Sequence, residues 1–85
     1  MKSIVYIMNV GMYEVEVDGD EVFVRECGLE TYDGEFWTVE FYEEDAESLE
    51  LPEELAEDGV DMSEVMECLV LPHLGFEGET WVEIA

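Results

Sequence analysis

Carboxylates supply nearly all the chemistry this chain has to offer: 25 Asp and Glu side chains stand against two basic ones, Lys2 and Arg25, for a formal charge of -23. Catalysis needs a few differently tuned groups converging on one pocket. Here acids are paired throughout, so no single pair marks an acid–base site. The only histidine, His73, stands in a loop-like stretch, Leu71-Pro72-His73-Leu74-Gly75, and no Ser or Cys is spaced to act as a nucleophile. A non-catalytic protein is expected. Asp18-Gly19-Asp20-Glu21 looks superficially like a calcium loop, but the D-x-D-x-D-G core and closing Glu are out of register, and a hairpin turn accounts for the glycine. Cys27 and Cys68 have no C-x-x-C spacing and read as reduced thiols. Neither a metal nor a cofactor is expected.

Charge itself is then the feature that calls for a function. Two carboxylates about 7 Å apart in water repel by roughly 0.6 kcal/mol, so a compact domain with this many acids folds against dozens of such terms. Three explanations compete: imitation of a polyanion, solubility in very high salt, and disorder. Disorder does not suit a chain that is 48% hydrophobic and 12% aromatic. High-salt adaptation fits poorly with 19 Glu against 6 Asp, with undepleted large apolar residues, and with acids that begin only at Glu14. A merely solvated strand face would mix Lys with Glu for cross-strand pairing, whereas this sequence avoids Lys. The composition therefore favours a protein that offers carboxylates in place of phosphates to a basic DNA-binding protein. An acidic interaction module or a halophile-adapted small protein is the alternative from a different class.

The elements that would carry those carboxylates follow from periodicity. Ser3 to Asn9 is β-branched and aromatic, Gly11 interrupts it, and Met12 to Asp18 alternates strictly. Val22 to Cys27 follows the Asp18-Gly19-Asp20 turn signal. Parity sends Tyr13, Val15, Val17, Val22 and Val24 to one face, and Glu14, Glu16, Asp18, Glu21 and Arg25 to the other. A loop holding Gly28 and Asp33-Gly34 leads to a fourth strand, Phe36 to Tyr42. Pro52 then starts a short helix expected to end at Asp58, before Gly59. Asp61 and Glu64 suggest a capping box for a second helix, with Val65, Met66, Leu69 and Val70 as its apolar stripe, ending before Pro72. Thr80 to Ile84 makes a last strand, with Trp81 and Val82 on opposite faces. The expected fold is one α+β domain, residues 1–85: an antiparallel sheet of about four to five strands with one or two short helices after the fourth strand.

On such a sheet, same-face side chains recur every 6.6 to 6.8 Å or so, and Glu14, Glu16 and Asp18 form an evenly spaced acidic row that Glu21 extends. Glu53, Glu54 and Glu64, in the first turns of the two helices, add further points of charge. A resemblance names a target for these acids. Glu47-Ser48-Leu49-Glu50-Leu51-Pro52-Glu53-Glu54-Leu55-Ala56-Glu57-Asp58-Gly59 resembles the Glu-Ser-Ile strand and following Leu-Pro-Glu-Glu-Val helix of the phage uracil-DNA glycosylase inhibitors, which are small acidic DNA mimics. In that family the strand lies at a sheet edge in the enzyme's DNA-binding cleft, and an apolar pocket takes up a leucine side chain of the enzyme. The resemblance implies that Glu47, Ser48, Leu49 and Glu50 belong to a partner-binding edge, with Glu53 and Glu54 as the helix acids and Leu55 beside the pocket. Val65, Met66 and Leu69 are chemically suited to line that pocket. The segment here is one residue shorter and lies mid-chain rather than ahead of the sheet, so a shared fold would need a permuted order.

The expected role is that of a monomer that inhibits uracil-DNA glycosylase in a 1:1 complex, with an anti-CRISPR or anti-restriction DNA mimic as the alternative within the same class. Direct binding to nucleic acid or to an anionic membrane is not expected of this surface. The apolar run Ile4 to Met8 is far too short for a membrane span or a signal core, and the expected compartment is the cytoplasm of the host cell.

Overall fold

The computed structural model describes residues 1–32, 37–41, 45–57 and 59–84. Six strands and a set of short helices follow one another as β1 (Lys2–Ile7), β2 (Gly11–Asp18), β3 (Glu21–Tyr32), β4 (Trp37–Phe41), β5 (Glu47–Glu50), α1 (Glu53–Ala56), α2 (Met62–Val65), a π-helical turn (Met66–Val70), α3 (Leu71–Leu74) and β6 (Trp81–Glu83). The sheet is antiparallel in the order β4-β3-β2-β1-β6. The fold is thus the expected α+β class, and a short fifth strand stands between the fourth strand and the helices.

Strand β3 is long enough to serve two neighbours along one edge. Its first half, Glu21 to Val24, pairs with β5, and its second half, from Cys27 to Tyr32, pairs with β4. The structure corrects the expected loop at Gly28: glycine lowers strand propensity, yet pairing with Glu40 of β4 carries β3 through it after the β2 pairing has ended at Cys27. The expected Asp33-Gly34 loop, the strand ends at Phe36 and Tyr42, and Asp58 lie outside the described residues.

The β2–β3 register opposes Val15 to Val24, Val17 to Val22 and Asp18 to Glu21, so the hairpin turn is Gly19-Asp20. Gly19 has φ 63 while Asp20 avoids the left-handed region, which suits a turn needing positive φ only at its first central residue. This register sorts the strands as parity requires. Val5, Ile7, Tyr13, Val15, Val17, Val22 and Val24 are buried on one face, where Leu51, Met62, Val65, Met66, Val70 and Leu71 cover them. Trp81, half-buried, packs at the margin, and Val82 faces the other way.

The helical region differs from the sequence reading at two points. The first helix is shorter than expected, Glu53–Ala56, and Asp61 caps the second, accepting from the Ser63 N–H at 3.0 Å. The second helix does not stop before Pro72 but continues through it to Leu74. A widened π turn at Met66–Val70 explains this: the Leu71 N–H reaches back to the Met66 carbonyl, five residues away, so the ladder changes pattern where Pro72 has no N–H to contribute. Gly75, at φ 84, then ends the helix.

Met66 is fully buried between this helical region and the valine face of the sheet. Met66→Ala is expected to lower stability by about 2–5 kcal/mol in urea denaturation, because the rigid sheet cannot collapse into the space left behind. A loss of less than about 1 kcal/mol would mean that the helical region is not packed on the sheet in this way.

Candidate acidic face

The sheet has a second face, turned away from the helices, and the strand registers arrange it in cross-strand rows. At the hairpin end, Asp18 of β2 stands opposite Glu21 of β3, which stands opposite Glu50 of β5. All three are exposed. The next row holds Lys2, Glu16, Phe23 and Ser48, followed by Ile4, Glu14 and Arg25. Charge on this face is therefore graded along the strands, with bare acids concentrated at one end.

Both basic side chains of the sequence meet a single carboxylate. Glu14, only 12% exposed at its side chain, has Oε1 3.5 Å from Arg25 Nη2 and Oε2 3.9 Å from Lys2 Nζ. The Arg25 guanidinium also lies 3.6 Å from the centroid of the Phe41 ring, a cation–π contact. Of the predicted row Glu14, Glu16, Asp18 and Glu21, the first is thus neutralised locally, and the remaining three, joined by Glu50, form the available acidic cluster.

The segment carrying the resemblance is the strand Glu47–Glu50 followed by the helix Glu53–Ala56. Strand β5 is an edge strand, and its alternation splits the predicted contacts. Ser48 and Glu50 face the same side as Asp18 and Glu21, while Glu47 and Leu49 face the helices. Leu49 and Leu55 are half-buried against the core. Glu47 Oε1 lies 2.8 Å from His73 Nε2. A carboxylate only accepts, so Nε2 carries the hydrogen in this contact. His73, expected in a loop, is instead a residue of α3 that clasps the edge strand. Nothing in the spacing of residues 47 and 73 signals that pair.

Glu53, Glu54 and Glu57, with Pro52, line an open recess of about 410 Å³ at α1. Glu64 is exposed at the start of α2. The predicted pocket does not form around Val65 and Met66, which are fully buried and belong to the core; Leu69 is half-buried beside them. An apolar recess of about 360 Å³ lies elsewhere, where Tyr6, Val10, Met12 and Cys27 surround the side-chain-free positions Gly11 and Gly28, with Glu26 at its margin. Among the described residues no three His, Cys, Asp or Glu side chains converge as metal ligands, and no helix is long and apolar enough to cross a membrane. Comparison with family models, curated proteins and solved structures gives no match.

The two cysteines differ sharply. Cys27 is buried, and desolvation pushes its thiol above the ordinary value, with the charge of Glu14 adding to the effect against the opposing Arg25. Cys68 is exposed on the π turn. Since thiolate is the reactive form, iodoacetamide at about pH 8 is expected to modify the native protein at Cys68 alone and both thiols after denaturation. Peptide mass mapping reads this out; rapid native modification of Cys27 would show that β3 opens locally around it.

Proposed function

We propose that this protein is a non-catalytic DNA mimic that occupies the basic DNA-binding cleft of uracil-DNA glycosylase. The observation that carries the reading is the row Asp18, Glu21 and Glu50: three exposed carboxylates directly opposite one another on adjacent strands, with no cation between them. Opposed like charges destabilise a sheet, by roughly 0.7 kcal/mol for a pair about 6 Å apart in a water-like dielectric. A sheet selected for stability alone would place Lys at one of these positions. The sequence has two cations to deploy, and both are set against Glu14. The strand-then-helix form of Glu47 to Ala56 supports the choice of glycosylase as the target.

The mechanism is steric and electrostatic. A strongly anionic surface steers the encounter with a cationic cleft and speeds association, and carboxylates on paired strands take the places of phosphates without having to be ordered first. Apolar contact then slows dissociation, which charge alone leaves fast and salt-labile. The protein acts in the cytoplasm of the host cell and binds its target one to one.

Purified protein added to a bacterial uracil-DNA glycosylase is expected to abolish uracil excision at about one equivalent, and full activity at saturating excess would remove this target. Asp18→Asn, Glu21→Gln and Glu50→Gln together are expected to weaken inhibition at least tenfold while raising the melting temperature, since the same carboxylates that attract the cleft repel one another in the free protein. Unchanged inhibition in this variant would show that the row is only a solvated surface.

A further inference from the structure

The end of the open face opposite the acidic row is apolar. Register places Val82 of β6 opposite Tyr6 of β1, Tyr6 opposite Met12 of β2, Met12 opposite Cys27 of β3, and Cys27 opposite Phe41 of β4. One apolar row thus crosses the five-strand path of the sheet, on the face the helices leave uncovered. Val82, Phe41 and Tyr6 keep 49%, 38% and 37% of their surface exposed, and Met8 and Val10 of the adjoining turn keep 47% and 37%. Cys27 is buried and interrupts the row between Met12 and Phe41, so the accessible apolar patch is that of Tyr6, Met12 and Val82 with Met8 and Val10. Exposed apolar surface of this kind, bordered by charge, marks interaction sites.

We infer that this open face is the docking surface, and that its partner is a protein presenting an apolar patch with Lys and Arg clustered to one side of it. Met12 to Asp18 is three same-face steps along β2, so the apolar row and the Asp18–Glu21–Glu50 row lie about 20 Å apart. A matching partner carries its basic cluster at that separation from its apolar patch. Charge complementarity selects such a partner over a second copy of this chain, because two molecules each carrying a formal charge of -23 repel. Glu14 with Lys2 and Arg25 lies between the two rows and separates them, carrying no excess negative charge of its own. The inference deepens the DNA-mimic reading and rests on it only for the basic character of the partner; it moves the centre of contact from α1 and the Glu47 side of β5 to the face on the far side of the sheet.

Amide chemical-shift mapping on the labelled full chain tests this with two probes, a bacterial uracil-DNA glycosylase and a synthetic amphipathic helix of Leu and Lys. Both are expected to perturb Tyr6, Met12, Val82 and the Asp18–Glu21–Glu50 row. Val82→Asp, at an exposed position, is expected to keep the native melting temperature and weaken binding of each probe at least tenfold, and Tyr6→Ala to weaken it several-fold. If the glycosylase leaves the spectrum unchanged while the peptide perturbs the open face, the target fails and the docking surface stands. If the glycosylase binds through residues 47–57 and the open face is silent, the surface is overturned and the target stands. Silence toward both probes overturns the inference, as does concentration-dependent dimerisation abolished by Val82→Asp, which would make a second copy the occupant.

Discussion

The alternation of side chains along β2 and β3 is the constraint on which everything else in this molecule depends. A pleated strand divides its residues between two faces, and the sequence uses that division to seal Tyr13, Val15, Val17, Val22 and Val24 under the helical region while placing Glu14, Glu16, Asp18 and Glu21 on the far side. A slip of one residue would bury four acids and expose the valines, so the same pattern fixes both the fold and the charge display. Hydrophobic burial on one face is what permits the other to carry carboxylates with so little neutralisation.

The second face is not uniformly acidic, and its gradation follows from the placement of two cations. Lys2 and Arg25 converge on Glu14 at the middle of the sheet, Arg25 held there also by Phe41. Acid is left bare toward the β2–β3 turn, and apolar side chains are left bare toward Val82 and Phe41. Such a surface combines long-range attraction for a cation with a short-range contact that salt does not screen. Edge strand β5 belongs to both sides: Ser48 and Glu50 extend the open face, while Glu47 is held by His73 toward the helices.

Much of this was legible in the sequence because strand periodicity is a local signal. The paired faces of Met12 to Asp18 and Val22 to Val24, the Gly19 turn, the Asp61 cap and the opposite orientations of Trp81 and Val82 all follow from neighbours in the chain. What could not be read depends on distant residues. Gly28 and Pro72 look like breaks, yet pairing with β4 and the π turn at Met66–Val70 carry the backbone through them. Val65 and Met66 have the chemistry of a pocket lining, but whether an apolar stripe is covered depends on how closely the sheet packs against it. The splitting of Glu47 from Ser48, the Glu47–His73 contact and the apolar row across the sheet are products of register between strands far apart in sequence.

Competition between this surface and DNA for a basic cleft can be measured by capturing proteins from bacterial lysate on the immobilised chain at moderate salt and then eluting with duplex DNA. The specifically retained protein is expected to be a DNA-binding enzyme that the duplex releases. Retention that survives a large excess of duplex DNA, or a retained protein with no affinity for DNA, would contradict it.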